Sequence, residues 1–207
     1  MKIPTGKATS VPLVIATNDT INIASGHKIE SPPAKIVPID FDSPLVVHHA
    51  GATQEGGNGD DVLGSTAGND VLYGNGGKDV FFLADGSDRA YGGSGDDQFY
   101  IYNGSHTAAG GTGNDYFSIF SSGEKTLTGG AGADQYVFDR ASNSHSTITD
   151  FNGAAGDRIW FDAPVTSVGW NADHTGIDFT LKNGGSISVI GADQDIYHYV
   201  GFTDWSS

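Results

Sequence analysis

GGNGDDVLG (56–64), GNGGKDVFF (74–82), GGSGDDQFY (92–100), GGTGNDYFS (110–118) and GGAGADQYV (129–137) are copies of one nine-residue pattern, and their reading decides the fold. Weaker copies lie between them: STAGNDVLY (65–73), LADGSDRAY (83–91), IYNGSHTAA (101–109) and IFSSGEKTL (119–127). Residues 56–137 therefore align with themselves at nine and eighteen residues, the mark of a stacked repeat architecture. One extra residue, placed near Thr128 by counting, interrupts the series before the last strong copy.

Each strong copy holds six turn residues rich in glycine and ending in Asp, then three residues whose middle member is apolar. A three-residue strand points its middle side chain one way and its neighbours the other. Leu63, Leu72, Phe81, Phe99, Phe117 and Tyr136 are thus expected to face inward and stack coil upon coil. The implied fold class is all-β, a right-handed parallel β-roll capped by N-terminal and C-terminal β segments. No apolar run at helical spacing competes with this reading.

Two nine-residue halves per coil place residues eighteen apart in adjacent coils, about 4.8 Å from each other. Asp61, Asp79, Asp97, Asp115 and Asp134 then form a column of like charges. Neighbours in it repel by roughly 3 kcal/mol at an effective dielectric near 20. Several such pairs exceed the net stability of about 5 to 15 kcal/mol that a typical domain has. Glycine-rich turns curl carbonyl oxygens inward, and calcium takes six to eight hard oxygens. A calcium ion between turns reverses the sign of the interaction, which makes binding and folding one event.

The repeat resembles that of the RTX family, and ITDFNGAAGDRIWF (148–161) resembles the segment that comes after the roll in serralysin-type proteases and other RTX proteins. The resemblance implies calcium held by the carbonyls of positions two and four and the Asp of one turn. Carbonyls of positions one and three and the Asp of the turn eighteen residues on complete the set. On this sequence the first site takes Gly57, Gly59 and Asp61 with Gly74, Gly76 and Asp79, and the second Asn75, Gly77 and Asp79 with Gly92, Ser94 and Asp97. The third takes Gly93, Gly95 and Asp97 with Gly110, Thr112 and Asp115, and the fourth Gly111, Gly113 and Asp115 with Gly129, Ala131 and Asp134. On the opposite edge Thr66, Gly68 and Asp70 with Leu83, Asp85 and Asp88 form one site. Beyond it, His106 and Glu124 are expected in the Asp column, while Leu83, Ile101 and Ile119 replace the first glycine. The expectation is an asymmetric roll, with about four ions on one edge, about one on the other, and apolar residues in place of the missing ions.

Residues 1–55 lack the repeat and read as a flanking β segment with β-branched runs at 20–23 and 35–37, while 138–207 read as a C-terminal β cap. Asn183-Gly184-Gly185 marks a hairpin turn in that cap. Tyr73 with Tyr91 and Phe82 with Tyr100 form aromatic ladders, read as covered by a terminal segment in preference to binding sugar rings or another protein. His48-His49 reads as a pair of solvated loop histidines, because neighbours on a strand face opposite ways. NADHTG (171–176) opens like a calcium loop, but Lys182 stands where the closing Glu belongs. Asp150 and Asp157 are left between a contact to the last calcium and a plain turn.

Twenty-five acidic against ten basic residues, a formal charge of −15, argue against nucleic acid or an anionic membrane as partner. The chain has no cysteine, which excludes disulfides and thiolate chemistry. No apolar stretch is long enough to span a membrane, and no N-terminal signal peptide is evident. The family resemblance implies a secreted, extracellular protein exported by type I secretion machinery that reads an uncleaved C-terminal signal. The expected role is a calcium-binding module for adhesion or for matrix, polysaccharide or cell-surface binding, and not an enzyme. The rival is an accessory or C-terminal region of a secreted polysaccharide-modifying or hydrolytic enzyme. Against it, no catalytic motif is visible and the residues before the roll are too few for a catalytic domain of that kind.

Overall fold

The computed structural model describes residues 20–22, 28–30, 51–139, 142–192 and 194–202. His48, His49 and the run at 35–37 lie outside them, as does most of the N-terminal segment, one of the two segments expected to cover the aromatic ladders. Contacts divide the chain into two units, Met1–Lys35 and Ile36–Ser207. In the first, β1 (Thr20–Asn22) and β2 (Lys28–Glu30) pair antiparallel with Ile21 opposite Ile29.

In the second unit short strands alternate between two sheets: β3 (Thr53–Glu55), β4 (Val62–Gly64), β5 (Val71–Gly76), β6 (Val80–Leu83), β7 (Arg89–Ser94) and β8 (Gln98–Ile101). They continue as β9 (His106–Thr112), β10 (Tyr116–Ile119), β11 (Glu124–Ala131), β12 (Gln135–Phe138), β13 (His145–Ile148) and β14 (Arg158–Phe161). Odd strands build one sheet and even strands the other, all parallel through β14. This is the parallel β-roll expected from the repeat, because a glycine-rich turn reverses the chain after every short strand. Parallel pairing does not stop where the nine-residue pattern ends. β15 (Val165–Trp170), β16 (Gly176–Leu181) and β17 (Ser186–Ile190) form a meander whose last strand pairs parallel with β13. β18 (Val200–Phe202), after a 3₁₀ turn at Gln194–His198, pairs parallel with β14. The β16–β17 turn falls at Asn183–Gly185, with Gly184 at φ +93°. Among the described residues there is no α-helix, so none that could cross a membrane.

The inward positions are those expected. Leu63, Leu72, Phe81, Phe99, Phe117 and Tyr136 are all buried. Strand pairing stacks Phe81, Phe99, Phe117 and Tyr136 with ring centroids 4.6, 4.7 and 5.0 Å apart. A second row, Leu83, Ile101, Ile119, Phe138 and Phe161, is buried beside it. On the outer surface Tyr73 stacks on Tyr91 at 5.1 Å and Phe82 on Tyr100 at 5.3 Å.

The inserted residue lies elsewhere than counting placed it. Ile119 still pairs with Ile101, eighteen residues back, but Lys125 pairs with His106, nineteen back. Phe120 stacks on Tyr102 and the Ser122 hydroxyl meets the Asn103 side chain, so the extra residue is Ser121, in the turn and not near Thr128. A one-residue slip within β11 would turn Leu127, now fully buried, outward and bring Thr126 in. The turn absorbs the insertion because a strand cannot.

Candidate metal centre

Asp61, Asp79, Asp97, Asp115 and Asp134 stand at the sixth place of successive turns, just before an even strand, and the last four of them are almost wholly buried. Each is tied to the next by its backbone. The N–H of Asp61 donates to Oδ1 of Asp79 at 2.8 Å, Asp79 to Asp97 at 2.8 Å, Asp97 to Asp115 at 2.9 Å and Asp115 to Asp134 at 2.9 Å. One oxygen of each carboxylate is thereby spoken for. The other, Oδ2 of Asp79, Asp97, Asp115 and Asp134, is buried with no hydrogen-bond partner.

Such orphaned oxygens are costly, since a buried polar atom without a partner loses its hydration uncompensated. Burial, aided by nearby aspartates, pushes the carboxyls of Asp79 and Asp115 up to about 7 and those of Asp97 and Asp134 up to about 6. The space beside Oδ2 is kept by glycine. A Cβ added to Gly74, Gly92 or Gly110 would strike Oδ2 of its own turn's aspartate and the carbonyl of the first glycine one coil on. Among the described residues no three His, Asp or Glu side chains converge as a metal-binding group, so a cation here must draw on backbone carbonyls. Unpartnered carboxylate oxygens among inward carbonyls are the donor set a hard cation such as calcium requires.

The turns expected to share each ion are adjacent coils. Asn75 pairs with Gly93, Gly93 with Gly111 and Gly111 with Gly130, while Gly76, Ser94, Thr112 and Ala131 run in step beside them. The carbonyls of Ser94, Thr112 and Ala131 accept one N–H each, from Gly77, Gly95 and Gly113, leaving a lone pair free. Gly57 and Gly59 hold the second and fourth places of the first turn, and Gly110 and Gly129 hold the first places of the turns that end in Asp115 and Asp134. Asn75, the one non-glycine residue at a second position of this column, has φ +74° and donates through Nδ2 to the Gly56 carbonyl. Asn tolerates that conformation better than most side chains.

The opposite edge is built differently. Asp70 donates through its N–H to Oδ1 of Asp88 at 2.9 Å, and Oδ2 of Asp88 has no hydrogen-bond partner. Oδ2 of Asp70, by contrast, already accepts from the N–H and hydroxyl of Thr66, and the Gly68 N–H donates to the same hydroxyl. Leu83 contributes a buried side chain, its carbonyl accepts from Tyr102 N–H, and Asp85 is exposed. Further along, the expectation for Glu124 is corrected. Glu124 is exposed and pairs with His145, whereas Lys125 is buried in the column opposite His106. Apolar residues do replace the first glycine, at Leu83, Ile101 and Ile119, but the aspartate is replaced by an imidazole and an ammonium group.

Two further carboxylates close the first edge. Asp157 Oδ1 accepts from Asp134 N–H at 3.0 Å and continues the column, while its Oδ2 accepts from Asn152 N–H. Asp150 accepts from the N–H groups of Gly129 and Gly130. The spacing of 23 residues from Asp134 to Asp157 hides this place in the sequence. Asn171 and Asp173 turn their oxygens onto the N–H groups of Thr175 and Gly176, an Asx-type turn and no calcium loop.

A parallel roll whose turns stack buried, half-satisfied aspartates defines a metal-binding repeat protein. Residues 55–90 and 84–105 match the RTX calcium-binding nonapeptide repeat, so the chain carries RTX calcium-binding repeats. Among solved structures it is similar to the extracellular lipase LipA from Serratia marcescens, at 15% identity, 73% of this chain, 40% of that one and a TM-score of 0.32. It is also similar to the AlgE6R3 subunit of the Azotobacter vinelandii mannuronan C5-epimerase, at 23% identity, 72% of this chain, 83% of that one and a TM-score of 0.29. The chain thus spans about 40% of the length of the lipase. No curated protein matches it.

Proposed function

We propose that this chain is a secreted calcium-binding protein whose roll closes when calcium enters between its turns outside the cell. The observation that carries the reading is the row of buried Oδ2 atoms on Asp79, Asp97, Asp115 and Asp134 that no protein group satisfies. Calcium would be held by these carboxylates, with Asp61, and by the carbonyls of the four pairs of turns along that edge; Asp70 and Asp88 supply the second edge. The ion contributes the positive charge and the directed oxygen bonds that the column lacks. Extracellular modules bind calcium at about 10⁻⁴ to 10⁻³ M, so such a chain stays open in the cytosol and folds after export, which suits a type I route.

The proposed role is that of a folded module for adhesion or for binding matrix or polysaccharide. Support comes from the aromatic ladders, where Tyr73 and Phe82 are 37% and 40% exposed, since exposed rings can meet sugar faces or a protein partner. Circular dichroism through a calcium titration tests the folding reading, and a chain equally β-rich in excess chelator would refute it. Retention of the calcium-loaded protein on immobilised polysaccharides, lost with chelator, tests the binding role.

A further inference from the structure

On the second edge the buried sixth-place column runs Asp70, Asp88, His106, Lys125 and Ser146. A column whose two carboxylates are followed by an imidazole and an ammonium group does not have the charge problem of its counterpart. Lys125 is 1% exposed, and its Nζ donates to the Gly104 carbonyl at 2.6 Å and to the Ser122 carbonyl at 2.8 Å. Gly104 is the fourth residue of its turn. Ser122, once Ser121 is recognised as the insertion, is the third residue of the next turn. A fourth-place carbonyl from one turn and a third-place carbonyl from the next are two of the donors that the repeat offers to an ion between coils.

His106 fills the turn before in a related way. Its Nε2 lies 2.7 Å from the Asn103 carbonyl, the third place of its own turn, and its Nδ1 lies 3.3 Å from both the N–H and Oδ2 of Asp88. One tautomer serves both hydrogen bonds, with Nε2–H donating and Nδ1 accepting in the place where Oδ1 of an aspartate accepts on the other edge. Burial pushes the Lys125 ammonium down to about 8, which leaves it mostly charged at neutral pH.

We infer that Lys125 is a tethered cation standing in the calcium position between the His106 and Lys125 turns, so that this stretch of the second edge closes without a metal ion. The inference rests on the calcium reading of the first edge. It explains why the aspartates stop at Asp88: past that point the chain carries its own counter-charge, and calcium on the second edge is needed only beside Asp70 and Asp88. The stem of Lys125, packed inside the roll, also fills space that an aspartate would leave.

The test uses the full chain with calcium alone as probe. Anomalous diffraction from calcium-loaded wild-type crystals should show ions beside Asp79, Asp97 and Asp115 and none in contact with the Gly104 and Ser122 carbonyls. An ion bonded to both of those carbonyls overturns the inference and leaves the calcium reading intact. Absence of ions from the whole roll overturns the calcium reading, and the inference with it. In solution, Lys125→Met should bind as many calcium ions as the wild type by native mass spectrometry, yet melt roughly 5 °C lower at saturating calcium because two buried carbonyls lose their donor. The double substitution His106→Asp with Lys125→Asp should bind at least one more calcium ion than the wild type. An unchanged melting temperature for Lys125→Met, or no added ion in a folded double variant, counts against the tethered cation.

Discussion

The backbone N–H of Asp97 donates to Oδ1 of Asp115 at 2.9 Å, eighteen residues further on, and leaves Oδ2 of Asp115 buried without a partner. The same bond, repeated from Asp61 to Asp157, gives Asp79, Asp97, Asp115 and Asp134 two tasks each. Oδ1 sets the register of the coil before it, and Oδ2 awaits an ion. A change that preserves the first task while removing the charge should therefore separate register from metal binding.

Asp97→Asn is such a change, since the amide oxygen can still accept from Asp79 N–H. Asp97 belongs to the turns of two neighbouring ions, and ligand charge count sets affinity in calcium sites. The variant should need roughly tenfold more calcium, or beyond, to reach half-maximal β signal. In chelator it should be no less stable than the wild type, because one repelling charge is gone. A calcium midpoint equal to that of the wild type would remove Asp97 from the ligand set.

Protons compete for the same column. The folded-state values of about 7 for Asp79 and Asp115 and about 6 for Asp97 and Asp134 lie above the ordinary 3.8, chiefly through burial. The metal-free roll thus holds more protons than the unfolded chain across that interval. Its stability is fully present below the unfolded value and is lost as pH rises through 6 to 7. In chelator, β signal should grow as the sample is acidified from about pH 8 to about pH 5. A metal-free chain that gains structure as pH rises through this window would contradict the buried-carboxylate account.

How far the sequence carries is visible in three residues. Phe99 could be placed inside the roll from the nine-residue pattern alone, because strand alternation fixes the face once the turn is known. Lys125 could not, because an insertion between Ile119 and Gly129 is detectable by counting but not locatable: any position restores the register of GGAGADQYV, and packing of Leu127 decides which turn takes the slack. The place of Asp157 in the column is hidden for the opposite reason, although the residue itself is a sequence-based candidate for the last calcium. The loops before β13 and β14 lengthen the coil to 23 residues, yet the aspartate still lands on Asp134. The column is set by the backbone bond and not by the count.

The aromatic stack holds the largest fully buried side chains of the core, and Phe99 lies within it, 4.6 Å from Phe81 and 4.7 Å from Phe117. Phe99→Ala should cost about 3 to 5 kcal/mol in calcium-loaded protein, since rigid coils above and below cannot collapse into the space. Phe99→Leu should recover most of it. Denaturant titration at saturating calcium provides the measurement, and a loss below about 1 kcal/mol for the alanine variant would mean that the coils do relax.

Gly95 and Asn75 make the last comparison, between a turn position that needs glycine and one that does not. Gly95 has φ +125°, and an added Cβ would run into the Gly77 carbonyl one coil back. Both conformation and space exclude a side chain, so Gly95→Ala should destabilise the loaded roll by about 1 to 3 kcal/mol or more and raise its calcium midpoint, because the neighbouring coil must move away. Asn75 at φ +74° sits in the small left-handed region that Asn visits. Asn75→Gly relieves that conformation but gives up the bond to the Gly56 carbonyl, and the two effects offset each other to within about 1 kcal/mol. Asn75→Val, branched at Cβ, should behave like Gly95→Ala. Calcium-dependent melting of the three variants reads the order directly, and equal tolerance at both positions would show that the turns are looser than their stacked backbones imply.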